Sequence, residues 1–288
     1  MRILILGGDG MLGHQALKDL RWRHEVRVTL RQDLAAYQHY RLFTTANAYG
    51  GIDVRHTDSL VGVLADFQPE AILNATGIVK QRPEASQSIL SLEINSLFPH
   101  RLAVLAAAIK ARLVHISTDC VFSGKKGSYK ESDVSDAEDL YGRSKYLGEV
   151  HEKNTITLRT SIIGRELSRK HGLLEWFLAQ RGTVRGFRKA IYSGFTTHEI
   201  IRVIEKLLVQ FPHCSGLYHV SSDPVSKYDL LMLVKAVMKV AVEIVPDDSF
   251  QCDRSLDSSQ FRREFHYSPP SWEVMIQELQ KSTEEQVQ

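Results

Sequence analysis

Three residues carry the chemistry open to this sequence: Thr118, Tyr141 and Lys145. Tyr141 and Lys145 stand four positions apart, which puts both on one face of a helix. An ammonium beside a phenol favours the phenolate and lowers a tyrosine pKa from about 10 toward neutrality. A tyrosine so placed can deliver a proton, with the Thr118 hydroxyl bonding the same receiving oxygen. On an ordinary amphipathic helix the same pair would merely pack the ring and solvate the lysine. The surroundings decide between the two.

The elements that must position these residues are legible. Leu113-Val-His-Ile116 is an apolar run that reads as a buried parallel strand, with Thr118 at its carboxyl end. Helix formers from Asp139 to His151 follow a Ser- and Asp-rich loop. At the amino terminus, Arg2-Ile-Leu-Ile-Leu6 leads into Gly7-Gly-Asp-Gly10-Met-Leu-Gly13 and then a helical pattern through Leu17 and Leu20. Strand, glycine turn and helix in that order are the context of a dinucleotide fingerprint, the pyrophosphate resting on the helix amino terminus. The spacing is GxxGxxG, so Gly7, Gly10 and Gly13, with Met11 and Leu12 between them, form the expected cofactor cradle.

A second strand, Glu25 to Leu30, ends at Arg31, placed for a 2′-phosphate and hence NADP(H). Asp33, two residues on, keeps NAD(H) open. A short third strand is expected over Gly50 to Val54 with Asp53 near the adenine end, and a helix over Asp58 to Phe67. The buried strand Ala71 to Ala75 opens into a loop, so Asn74, Ala75, Thr76, Gly77 and Lys80 should pass close to the cofactor, as should Ser117. From Ser86 to Ala111 the pattern is helical, kinked or restarted at Pro99, and Asn95 within it should face solvent. Beyond Lys153 a strand at Thr155 to Arg159 precedes helices at Leu173–Gln180, Thr197–Val209 and Lys227–Met238, with short strands at Gly216–Val220 and Val242–Val245. The expected organisation is an α/β doubly wound parallel sheet of Rossmann type over residues 1–160. A smaller, interleaved substrate-binding portion over 161–280 packs at the carboxyl edge of the sheet, and 281–288 form a disordered tail.

Composition bounds the partners. The 288 residues carry a net charge of +2, which gives no case for nucleic acid or an anionic membrane. The three cysteines are few and scattered, so neither a disulfide framework nor a metal site is expected. No apolar run reaches membrane-spanning length and no signal peptide precedes the first strand, which points to the cytoplasm. A homodimer stays open.

Taken together, the glycine loop, Asn74-Ala-Thr-Gly77, Ser117-Thr-Asp-Cys-Val-Phe122, Tyr141-Gly-Arg-Ser-Lys145, Leu158-Arg-Thr160 and Arg254-Ser-Leu-Asp257 are similar to extended short-chain dehydrogenases/reductases. Phe261 and Pro269-Pro-Ser-Trp272 extend the likeness, which spans nearly the whole chain. Within the superfamily the sequence resembles the dTDP-4-dehydrorhamnose reductases. The resemblance implies NADPH-dependent reduction of the 4-keto group of a nucleotide-linked 4-keto-6-deoxy sugar, in polysaccharide precursor synthesis. Tyr141 would protonate the 4-oxygen, Lys145 would hold the nicotinamide ribose and lower the tyrosine pKa, and Thr118 would orient the carbonyl. Asn95 matches the family's lysine-supporting asparagine, although Pro99 departs from the usual pattern. Lys80, Thr118, Asp119, Cys120 and Arg254 fall on the substrate side.

Two departures bear on the substrate. Related dehydratases place an acid pair after the threonine, whereas here Cys120 follows Asp119, which disfavours dehydration. The loop Gly77-Ile-Val-Lys-Gln-Arg82 differs from the rhamnose reductase pattern, which leaves room for a UDP-linked 2-acetamido-2,6-dideoxy hexulose. An NAD-dependent sugar-nucleotide epimerase is one alternative. The other is a non-catalytic binding subunit that retains the fold, since the regulatory subunit of methionine adenosyltransferase also resembles these reductases.

Overall fold

The structure is a computed structural model that describes residues 1–80, 83–168 and 170–284. In chain order the strands are β1 (Arg2–Leu6), β2 (Glu25–Thr29), β3 (Ala48–Tyr49), β4 (Ala71–Asn74), β5 (Arg112–Thr118), β6 (Thr155–Thr160), β7 (Ile162–Ile163), β8 (Gly182–Phe187), β9 (Ala190–Tyr192), β10 (Phe195–Thr196), β11 (Gly216–His219), β12 (Val225–Ser226), β13 (Val242–Asp247) and β14 (Cys252–Asp253). The helices are α1 (Met11–Leu20), α2 (Thr57–Phe67), α3 (Ser88–Ser91), α4 (Phe98–Ala108), α5 (Leu140–Leu147), α6 (Leu173–Leu178), α7 (Thr197–Gln210), α8 (Lys227–Met238), α9 (Ser259–Glu264) and α10 (Trp272–Glu284). A π-helical turn, Leu92–Leu97, joins α3 to α4.

Seven strands form one sheet in the order β11-β6-β5-β4-β1-β2-β3. The pairs β1/β2, β1/β4, β2/β3 and β4/β5 are all parallel, with Ile5 beside both Val28 and Leu73. This is the Rossmann order, in which the sequence runs outward from β1 first one way and then the other. The reason lies in composition: Ile3 to Leu6, Ile72 and Leu113 are wholly buried, as strands covered on both faces must be. Leu60, Val63, Leu64 and Phe67 of α2 and Phe98, Leu102 and Ala106 of α4 share one apolar core with Leu4, Ile72 and Leu113.

The chain divides into two compact units. The first comprises Met1–Ser117, Asp139–Leu158 and Ile201–Leu217; the second comprises Thr118–Glu138, Arg159–Ile200 and the chain from Tyr218 on. Interleaving is therefore deeper than a division near residue 160: Thr118–Glu138 leaves the first group and Ile201–Leu217 joins it. The second unit contains small sheets that link distant segments, β12-β9-β14 and β13-β8.

Some elements differ from the sequence expectation. The third strand is Ala48–Tyr49 rather than Gly50–Val54, because Gly51, at φ 72°, turns the chain away. The run does restart at Pro99 as expected: after the π-helical turn a new α-helix begins, with Pro99 in the first turn of α4. Residues 281–284, expected in a disordered tail, belong instead to α10, which runs through Glu284; 285–288 lie outside the described residues, as do Gln81 and Arg82 of the loop after β4.

Candidate active site

The glycine loop follows from steric necessity. Gly7 has φ 85°, and a Cβ there would stand 3.2 Å from Ala75 O. A Cβ on Gly13 would lie 2.1 Å from Gly7 O, so α1 can approach the loop only if that residue is glycine. A Cβ on Gly10 would meet only Gly7 O, at 3.2 Å, which leaves the helix end open on the outer side. Gly10 caps α1 without a side-chain bond and the first turn, Met11 to Gly13, holds no acid. An uncapped, acid-free helix amino terminus fits a diphosphate.

Arg31 is exposed just past β2, and Asp33 caps the following 3₁₀ turn. Asp53 is held by Arg55 through both carboxylate oxygens, and this pairing keeps its carboxyl down at about 2, with Arg31 adding a weaker pull. At the end of β4, Asn74 is fully buried. Its Oδ1 accepts from Thr76 N at 3.2 Å, and its Nδ2 donates to His115 Nδ1 at 3.1 Å. Burial and the charge of Lys145 hold His115 far below the ordinary imidazole range, so it is neutral. Asn74 and His115 together shape the Ala75-Thr76-Gly77 loop.

Tyr141 and Lys145 share α5, as their spacing requires. Asp139 caps that helix by accepting from Gly142 N at 2.7 Å, and Lys80 Nζ donates to the other oxygen of Asp139 at 2.6 Å. Lys80 is thereby tied to the helix that carries Tyr141. Tyr141 is half-buried, whereas Lys145 is buried and donates to Ile116 O at 2.7 Å. Burial brings the Lys145 ammonium down to about 8, with Glu149 opposing the shift. A Cβ on Gly77 would stand 4.0 Å from Lys145 Nζ, so the loop after β4 and the lysine adjoin.

Asn95 corrects the sequence expectation. It is buried in the π-helical turn, not solvent-facing. Its Oδ1 accepts from Ile78 N at 2.9 Å, and its Nδ2 donates to Ile78 O and to Ser144 Oγ, both at 3.1 Å. One side chain therefore joins the loop after β4 to the residue preceding Lys145. The extra residue of a π turn, a device common at functional sites, aims it inward. Sequence reading also missed Ser144, His115 and Glu149; the last lies four residues beyond Lys145, a spacing that could have flagged it.

In the second unit, Thr118 Oγ1 accepts from Cys120 N and donates to Asp119 Oδ1, each at 3.1 Å. Asp119 is buried, and burial raises its carboxyl above the usual range against the pull of Arg254. Burial and Asp119 push the Cys120 thiol up to about 12, so it stays protonated and is no nucleophile. Arg254 Nε donates to Phe122 O at 2.8 Å. Thr118, Asp119, Cys120 and Arg254 thus form one group around the turn that follows β5. No three His, Cys, Asp or Glu among the described residues are arranged to hold a metal ion, and no helix among them is long and apolar enough to cross a membrane.

Residues 1–284 match the family described as the RmlD substrate binding domain. The chain belongs to that family. It is 26% identical to a dTDP-4-dehydrorhamnose reductase of Aggregatibacter actinomycetemcomitans, over 98% of this chain and 99% of that one. It is 31% identical to methionine adenosyltransferase 2 subunit beta of Bos taurus, over 80% of this chain and 70% of the other. Its fold matches that of a dTDP-4-dehydrorhamnose reductase from Bacillus anthracis in complex with NADP, with a TM-score of 0.80 at 22% identity, covering 98% and 99% of the two chains. In this member of the RmlD substrate binding domain family, the glycine loop, Asn95, Tyr141 and Lys145 all lie within the first unit.

Proposed function

We propose that this protein reduces the 4-keto group of a nucleotide-linked 4-keto-6-deoxy sugar with NADPH. The observation that carries the reading is the polar frame around Lys145. Asn95 secures the preceding residue, Ile116 O receives the ammonium, and Tyr141 lies one helical turn away. Gly7, Gly10, Met11, Leu12 and Gly13 would hold the cofactor diphosphate, and Arg31 a 2′-phosphate. Asn74 to Gly77 and Ser117 would flank the nicotinamide side.

A bound reduced nicotinamide supplies the hydride. Tyr141 gives its phenolic proton to the sugar's 4-oxygen, and Thr118 orients that oxygen by hydrogen bonding. Lys145, as a cation, stabilises the phenolate that Tyr141 leaves behind. Asp119, Cys120, Arg254 and Lys80 complete the sugar side. Cys120 follows Asp119 where a dehydratase carries its second acid, so half of the pair needed to expel water is missing, which favours reduction over dehydration. We place the protein in the cytoplasm: none of Cys120, Cys214 and Cys252 is held in a disulfide, in keeping with a reducing compartment.

A second reading has one observation behind it, the 31% identity to methionine adenosyltransferase 2 subunit beta. A binding subunit would take up NADPH and turn nothing over. The test is NADPH and NADH oxidation against dTDP-, UDP- and GDP-linked 4-keto-6-deoxy sugars, the UDP member including a 2-acetamido sugar. Turnover of one member with NADPH supports the reductase. Cofactor binding without turnover of any member favours the subunit. In the same assay Arg31→Ala should weaken NADPH more than NADH, and equal weakening would remove the 2′-phosphate contact.

A further inference from the structure

The end of α5 holds a group that the reduction does not itself consume: an enclosed carboxylate. Glu149 lies four residues past Lys145 and is only 5% exposed. Ser117 Oγ donates to Glu149 Oε1 at 2.7 Å, and the residue before Ser117, Ile116, receives Lys145 Nζ on its carbonyl oxygen at 2.7 Å. Two consecutive residues of β5 thus meet a cation and an anion from one helix end. The link between the two is tightly set. A Cβ on Gly148 would fall 1.9 Å from Asn95 O, so the chain entering Glu149 is pressed onto the π-helical turn. Burying a carboxylate is costly unless it is hydrogen-bonded and matched with opposite charge.

We propose that Glu149 is a positioning residue for Lys145: it supplies the buried negative charge that keeps the lysine a cation, and through Ser117 it fixes the strand end that receives the ammonium. The consequence for turnover rests on the reductase reading; the Lys145–Glu149 relation does not. Burial pulls the lysine toward its neutral form, and Glu149 is the charge that opposes this. The other titratable neighbours give no such help. His115 on β5 is buried and neutral. His100 on α4 bonds Leu147 O and lies 3.9 Å from Glu152, at the exposed side of the helix. Tyr141 shares the lysine's own helix and becomes anionic only after its proton has left.

The test is the pH dependence of NADPH affinity, followed by the fluorescence of the bound cofactor between about pH 6.5 and about pH 9.5, a range that brackets the lysine's titration. Glu149→Gln keeps an acceptor for Ser117 and removes the charge. Ser117→Ala keeps the charge and removes the bond. In the wild-type protein affinity should fall as pH rises past about 8. In Glu149→Gln that fall should begin about one pH unit lower, which is about a fivefold loss relative to wild type at pH 8 and about tenfold at about pH 9 and above. Ser117→Ala should weaken NADPH across the whole range, because it loosens the strand end, while the break stays near the wild-type pH; a break lowered as far as in Glu149→Gln would overturn the charge role. An unmoved break in a Glu149→Gln protein that melts cooperatively overturns the proposal. If Glu149→Gln does not fold, Glu149→Asp decides, because it keeps the charge: a wild-type break supports the charge role, and a lowered break refutes it. The readout needs no sugar substrate. Absence of turnover with every sugar would therefore overturn the reductase reading alone.

Discussion

Removing one oxygen from Tyr141 tests the proposed chemistry most narrowly. Tyr141→Phe keeps the ring's packing and deletes the proton, so turnover should fall by about 100-fold or more while NADPH affinity stays near the wild-type value. Retained turnover would mean that another group protonates the sugar. At this scale the sequence was most informative, because Thr118, Tyr141, Lys145 and the glycines are recognised by type and spacing within one element. Gly7 and Gly13 follow from backbone geometry that any observer of the motif can deduce. Glu149 and His115 do not, since their meaning comes from Ser117 and Asn74, which lie 32 and 41 positions away in the chain.

Between elements, the decisive part is the π-helical turn. An asparagine amid helix formers reads as surface, and nothing in its neighbours announces the extra residue that turns it inward. Once buried, its amide must satisfy Ile78 N, Ile78 O and Ser144 Oγ. Asn95→Ala strands those groups, each at roughly 1–3 kcal/mol when fully desolvated. The expected result is a urea midpoint lowered by the equivalent of about 2–4 kcal/mol, together with a rise in the KM for NADPH. A midpoint within error of wild type would show that water replaces the amide. The short strands β9, β12 and β14 of the second unit were hidden for a related reason. β9 has three residues, pairs with the still shorter β12 and β14, and gains its stability from partners that no local pattern reveals.

Acid stability belongs to the whole molecule, because buried imidazoles in both units stay neutral. His219, at the end of β11, accepts from Arg159 through Nε2 and donates to Tyr129 O through Nδ1. Burial first, then Arg159, lower it from 6.5 to about 4. The sign follows from proton binding. Below about 6.5 the unfolded chain takes up a proton that the folded one refuses. The stability His219 contributes is thus complete above that pH and is lost as pH falls toward 4, on the order of 3 kcal/mol over the window. Urea midpoints measured from about pH 7 down to about pH 4.5 should fall less steeply in His219→Gln than in wild type. Equal slopes would place the acid sensitivity elsewhere.

Interleaving makes a further claim about the chain as a whole. A cofactor domain ending near residue 160 was the natural division in the sequence, because the strand–helix alternation changes there. The fold does not permit so simple a cut. β11 is the sheet neighbour of β6, yet Gly216–His219 lies more than fifty residues beyond β6. Arg112, buried on β5, gives its guanidinium to Leu207 O, Phe211 O and Cys214 O, all contributed by the end of α7 and the turn after it. A fragment of residues 1–160 would expose β6 as a bare edge and leave the Arg112 cation with none of these acceptors. Such a fragment should show no cooperative melt and should aggregate, whereas 1–219 regains both the strand and the carbonyls. If 1–160 instead melts cooperatively and binds NADPH, the sheet closes without β11, and the buried guanidinium must have found water in place of α7.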